Sequence, residues 1–179
     1  MVLSIHTYGD KVLRELNKIV KLNRQKEIKE LYTNMFDTLL AYGGYGLSAP
    51  QVGENLKLFV VDTSGSSDRF FALREVFINC EIISKSVETK VITETCLSFP
   101  NLSGDVKRHN WIVVSYYDMN FKNQTKRFEG FEAAVIQHEY QHTNGILFNS
   151  KFLFSYSKKI VKPLLKIKKK KVQTQYKIA

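Results

Sequence analysis

The chain has 179 residues, of which 44% are apolar and 12% aromatic, and a formal net charge of +10. This length suits one domain with a substantial core, the composition excludes a disordered chain, and no apolar run reaches the roughly 20 residues that span a bilayer. The charge is unevenly placed: ten lysines and no acidic residue lie from Thr143 onward, so the remaining 17 basic side chains balance the 17 acids of the body.

The opening "MVLSIHTYGDKVLREL" lacks the apolar run of a signal peptide, so a cytoplasmic protein is expected. Apolar residues at Ile28, Leu31, Tyr32, Met35, Phe36, Leu39 and Leu40 follow helical spacing, and the glycines of "AYGGYG" end that helix. Short strand-like runs come next, "LKLFVVD", "FINCEII", "KVITETCLSF" and "WIVVSYYD", with turn-rich segments such as "TSGSSD" and "PNLSGD" between them. "DMNFKNQTKRFEG" reads as a turn and a further strand, and "FEAAVIQHEYQHTNG" as a helix ended by Gly145. Beyond it, Leu153, Ser157, Ile160, Val161, Leu164 and Leu165 would share one face of a last helix that Pro163 starts or kinks. The order predicts an α+β domain over 1–149, followed by a basic helix or tail over 150–179. The lysines suggest either a polyanionic partner or a solvated, solubilising face.

Of four histidines, two stand one helical turn apart: His138 and His142, with Glu139 beside the first. Residues i and i+4 share a helix face, so two neutral imidazoles can bind one ion while the carboxylate reaches a water without ligating. A catalytic site needs a third protein ligand and an open position. Metalloproteases of the zincin type take that ligand downstream, but no Glu or His follows His142. An upstream thiolate, Cys96 in "ETCLSFP", is the best-placed candidate, and it suits a borderline or soft divalent metal. Cys80, in the apolar run "FINCEII", reads as a buried small hydrophobe.

Three motifs in order, "GYGLSAPQ" (44–51), "ETCLS" (94–98) and "QHEYQH" (137–142), resemble those of the peptide deformylase family. The resemblance extends over most of 12–148. It implies an α+β fold of mainly antiparallel strands around a central HExxH helix, and removal of the formyl group from N-formylmethionyl peptides. It also implies Cys96, His138 and His142 as ligands of one divalent ion, Fe²⁺ by nature and Zn²⁺ or Ni²⁺ as common occupants. Glu139 would take a proton from the attacking water and pass one to the leaving amine. Gln51 and the Leu97 N–H would stabilise the oxyanion. Gly46 and Thr95 would flank the peptide, with Tyr45, Ala133 and Ile136 walling the methionine pocket.

A monomer is expected, with no membrane partner. Ribosome docking through the lysine-rich end is implied because some bacterial members use a basic C-terminal helix in this way. The family's Gly before the cysteine is Thr95 here, which adds bulk beside the substrate. Gln141, Thr143 and Ser48 also depart from the pattern. A binding module with a weak site is the alternative from another class.

Overall fold

In the computed structural model, which describes residues 1–65, 72–151 and 158–179, the first apolar periodicity becomes helix α1 (Gln25–Tyr42). It buries Ile28, Met35, Phe36 and Leu39, while Leu40 is 85% exposed and does not share the packed face. Gly43 and Gly44 follow with φ of 78° and 112°, a conformation that L side chains resist, so the helix stops there.

The chain then builds a five-stranded antiparallel sheet in the order β1-β2-β3-β6-β7. Its strands are β1 (Gly46–Ser48), β2 (Leu58–Asp62), β3 (Arg74–Lys85), β6 (Trp111–Tyr117) and β7 (Asn123–Glu129). Strand alternation gives the sheet two buried faces. Leu58, Val60, Val76 and Ile78 pack toward the cluster that contains the α1 residues. Phe59, Val61 and Phe77, from the same strands, pack with Ala133 and Ile136. The sheet thus lies between α1 and the motif helix. Register breaks in β3 around Asn79, whose φ is 52°. There the Asn79 side-chain amide bonds both backbone groups of Val20, at 2.8 and 3.0 Å.

A separate hairpin joins β4 (Thr89–Thr95) to β5 (Ser103–His109). The segment "PNLSGD" is therefore not all turn, because β5 begins within it. "SGDVKRH" carries few β-formers and holds its place by pairing along the whole of β4.

The motif helix α2 (Gly130–His142) starts directly after β7. It stops three residues before Gly145, which sits in the turn beyond. That glycine is required by a close approach: a Cβ there would lie 2.9 Å from the backbone oxygens of Arg14 and Glu15. Gln137 docks α2 on the hairpin. Its amide donates to His109 O at 3.0 Å, and its oxygen accepts from His109 N at 3.0 Å.

The C-terminal residues are not an appendage. Helix α3 (Lys158–Lys168), with Pro163 inside it, buries Leu164 against Leu13, Phe99 and Phe148, and Ile167 is 1% exposed. Val161 and Leu165, expected on that face, are each 50% exposed; Leu153 and Ser157 lie outside the described residues. Beyond α3 the chain returns to the N-terminus. Ile5 N–H donates to Lys177 O at 2.8 Å, and Ala179 N–H donates to Ile5 O at 3.0 Å.

This packing predicts that Ile167→Ala lowers unfolding stability by about 2–5 kcal/mol, whereas Val161→Ala stays within about 0.5 kcal/mol. Urea denaturation of the two variants checks it, and equal mild effects would mean that α3 is not seated on the core.

Candidate metal centre

Strand β4 ends at Thr95, and the chain turns at once. Phe99 N–H donates to Cys96 O at 2.9 Å, which closes a turn over Leu97 and Ser98. The Ser98 hydroxyl donates to His6 O at 2.8 Å, fixing the turn to the N-terminal segment. This puts the Cys96 thiol over the buried face of α2. Its Sγ is 3.2 Å from His142 Nε2, which is 3.3 Å from His138 Nε2. All three donor atoms lie within 4.8 Å of one another. Donors of a tetrahedral site with such ligands stand about 3.3–3.6 Å apart, given metal bonds of about 2.0–2.3 Å. The residues fit a divalent ion.

The electrostatics agree. Burial holds His142 well below the ordinary histidine pKa, with the charges of His138 and Arg108 adding to it, so it is a neutral imidazole. Burial opposes charge on His138 too, but the Cys96 sulfur and the Glu94 carboxylate outweigh it and raise that pKa.

His138 is oriented by a carboxylate that sequence reasoning missed. Glu94 Oε2 lies 2.8 Å from His138 Nδ1, leaving Nε2 to face the cluster. Glu94 is gripped in turn by Arg108, whose Nε and Nη2 donate at 2.6 and 2.7 Å. Arg108 is 1% exposed. Burial works against the Glu94 carboxylate, yet hydrogen bonds from Arg108 and His138 bring its pKa down to about 2. No spacing rule finds this pair, because Glu94 and Arg108 are 14 residues apart on different strands and meet only through the hairpin.

Glu139 is buried at 3% exposure, with Oε2 lacking a hydrogen-bond partner. Burial raises its pKa to about 7 against the opposing pull of His138 and the Ser48 hydroxyl. Gly46 makes room for it: a Cβ at Gly46 would fall 2.7 Å from Glu139 Oε1 and Cγ. Gln51 is held by Ser48, whose N–H and hydroxyl donate to Gln51 Oε1 at 2.9 and 2.8 Å. The Gln51 amide N–H is thus turned to Cys96 Sγ, 3.5 Å away. Ser48 is more than a small replacement, and a signal for it was present: "SAPQ" is a capping box, with serine before a short 3-10 helix and glutamine three residues on.

The cleft above these groups is lined by Tyr45, Thr95, Leu97, Phe131, Ala134 and Val135, among others. Ala133 and Ile136 do not reach it. Both are fully buried under α2 against Phe59 and Phe77, because the helix turns the positions between them outward. Tyr45 is 40% exposed and meets Phe131 edge-on, with ring centres 4.8 Å apart. Thr143 is buried with its hydroxyl donating to Tyr140 O, which makes it a helix-end residue. Cys80 is buried away from the site, and burial pushes its thiol pKa up.

A sequence model of the polypeptide deformylase family matches residues 2–156. The chain belongs to that family. The peptide deformylase of Christiangramia forsetii is 39% identical over 189 residues, covering 99% of this chain and 95% of that protein. The crystal structure of peptide deformylase from Ehrlichia chaffeensis superposes with a TM-score of 0.85 at 31% identity, over 96% of this chain and 97% of that one. A Met-Ala-Ser-bound class I type b peptide deformylase from Acinetobacter baumannii gives 0.79 at 30% identity, over 85% and 99%. The deformylase fold, α+β with mainly antiparallel strands and three helices, is the fold found here. The family consists of hydrolases, and a metal-dependent one is consistent with the three converging donors. Among the described residues, no helix is long and apolar enough to cross a membrane.

Since Glu94 fixes the ring that presents its Nε2, Glu94→Ala should lower affinity for a divalent metal about 10–100-fold. Competition with a chromogenic chelator measures this; affinity equal to that of the unaltered chain would remove Glu94 from the site.

Proposed function

We propose that the chain is a metal-dependent hydrolase that removes the formyl group from N-formylmethionyl nascent peptides in the cytoplasm. The observation that carries this is the convergence of Cys96, His138 and His142 beside the Glu139 carboxylate and the Gln51 amide, at the floor of a cleft that all but His142 line. Cys96, His138 and His142 would hold the ion, Fe²⁺ in its natural state and Zn²⁺ or Ni²⁺ as alternatives, since one thiolate and two imidazoles suit all three. A bound divalent ion supplies positive charge that lowers the pKa of water and offsets a developing oxyanion.

The chain's own residues do the rest. Glu139, with a pKa near 7, is matched to accept the proton of the attacking water and return it to the leaving amine. Gln51, fixed by Ser48, offers its amide N–H to the carbonyl oxygen as it becomes negative, and the Leu97 N–H is the second donor. One such donor is worth roughly 2.7–4 kcal/mol of transition-state stabilisation. Tyr45, Phe131, Ala134 and Val135 form an apolar recess that suits the methionine side chain. Gly46 and Thr95 flank the path of an extended peptide. Thr95 is exposed and lines the cleft, where its side chain would add bulk beside that path without blocking it. The Acinetobacter structure, which shares this fold, carries bound Met-Ala-Ser, the tripeptide that deformylation of formyl-Met-Ala-Ser leaves.

Formate release from formyl-Met-Ala-Ser by protein loaded anaerobically with Fe²⁺ tests the reading. Glu139→Ala should keep its metal while kcat falls about 10²–10⁴-fold. Near-normal turnover in that variant would exclude Glu139 as the proton carrier.

The ribosome is the proposed macromolecular partner. With Leu164 and Ile167 turned inward, α3 presents Lys162 and Lys166 with half-exposed Val161 and Leu165, and Lys169 follows. Such a face suits RNA phosphates, with affinity that falls steeply as salt rises. Cutting the chain before α3 would strip core residues and the C-terminal pairing with Ile5, so charge reversal is the cleaner probe. Lys162→Glu, Lys166→Glu and Lys169→Glu together should abolish co-sedimentation with ribosomes at low salt and leave turnover of short formyl peptides intact. Unchanged co-sedimentation would mean that the lysines only solvate the helix.

A further inference from the structure

The returning C-terminus does more than cover the N-terminal strand. Residues 173–176 line the same cleft as Thr95, Cys96 and Glu139. They are tied down along their length. Asn101 Nδ2 donates to Gln173 O at 3.2 Å, and the Thr174 hydroxyl donates to Tyr176 O at 2.6 Å. The Tyr176 ring leans on Tyr42 at the end of α1, with ring centres 5.4 Å apart.

The hydroxyl of Tyr176 donates to Leu97 O at 2.5 Å. This bond falls at a sensitive place. Leu97 is a central residue of the turn closed by Phe99 N–H and Cys96 O, and its carbonyl is not used by that closure. The central peptide of a turn can rotate at little cost when its carbonyl is unheld; the Leu97 N–H belongs to the preceding peptide, joined to it at the Leu97 Cα, so a fixed Leu97 carbonyl restricts ψ of Leu97 and with it how far that N–H can tilt. Ser98 is anchored at both ends, its hydroxyl on His6 O and its carbonyl accepting from Tyr8 N–H at 2.9 Å. With Tyr176, the turn is held on both sides.

We propose that Tyr176 is a positioning residue for catalysis: its hydroxyl, brought back to the cleft by the folded C-terminus, fixes the turn that presents the Leu97 N–H to the substrate carbonyl. The proposal rests on the deformylase reading for the role of that N–H. Tyr176 touches no reacting atom and acts through Leu97. Burial raises its pKa above the ordinary tyrosine value, with the nearby Cys96 charge adding to it, so the hydroxyl stays a donor.

Tyr176→Phe removes the hydroxyl and keeps the ring on Tyr42. Two readouts decide. Amide hydrogen exchange at Phe99 should become about fivefold to tenfold faster, the weight of one hydrogen bond, with exchange in β6 unchanged. In steady-state turnover of formyl-Met-Ala-Ser, kcat per bound metal should fall by a similar factor while KM and metal content hold. A residue that merely stabilised the fold would lower the melting temperature and leave metal-normalised kcat alone; that result, or unchanged exchange at Phe99, overturns the proposal. Absence of turnover in the unaltered chain together with faster Phe99 exchange in the variant would count against the deformylase reading and leave the grip of Tyr176 on the turn established.

Discussion

A single buried carboxylate joins the parts of this molecule that must agree for the site to exist. Glu94 stands on β4, its cation Arg108 on β5, and its histidine, His138, on α2. Removing one partner of such a group leaves a charge in low dielectric, a cost on the order of 3–5 kcal/mol, while the intact pair adds little net stability. Its value is therefore specificity of arrangement. The hairpin can sit on the helix in one way only, and that way turns His138 Nε2 inward and delivers Cys96, two residues past Glu94, to the same point.

The second constraint is the close approach of β1 to α2. Gly46 has no side chain because Glu139 occupies the space where one would be. A glycine that invites a substrate backbone and a glycine that admits a buried carboxylate look alike in sequence, and here the structure shows the second. Burial of that carboxylate raises its pKa to about 7, so the packing that excludes a Cβ also sets the charge state of Glu139 near neutrality. Ser48, two residues along β1, holds Gln51 by its oxygen and so decides which end of the amide faces the cluster.

The third is the closure of the chain on itself. The lysine-rich end was expected as a basic helix or tail beyond the domain, but Leu164, Ile167 and the pairing of Ile5 with residues 177 and 179 make it part of the body. The charged side chains remain outside because α3 turns Ile160, Leu164 and Ile167, at i, i+4 and i+7, inward. One consequence is that Tyr176, 79 residues from Leu97, reaches the active-site turn.

What the sequence determined by itself was local. The spacing of His138, Glu139 and His142 sets them on adjoining positions of one helix, whatever else the chain does. The strand-to-turn change in "ETCLSFP" marks Cys96, and the strand-like segments supply β2, β3, β4, β6 and β7. The tertiary structure decided what depends on distant partners. β5 has little strand propensity of its own and exists by pairing with β4. Arg108 carries no local sign that it will be buried. Which of Ala133, Ala134, Val135 and Ile136 faces the cleft was a question of helix rotation, and the docking of Gln137 on His109 answered it by turning Ala133 and Ile136 into the core. Periodicity is enforced by geometry within a few residues, whereas pairing, burial and rotation are set by contacts between segments that no short window contains.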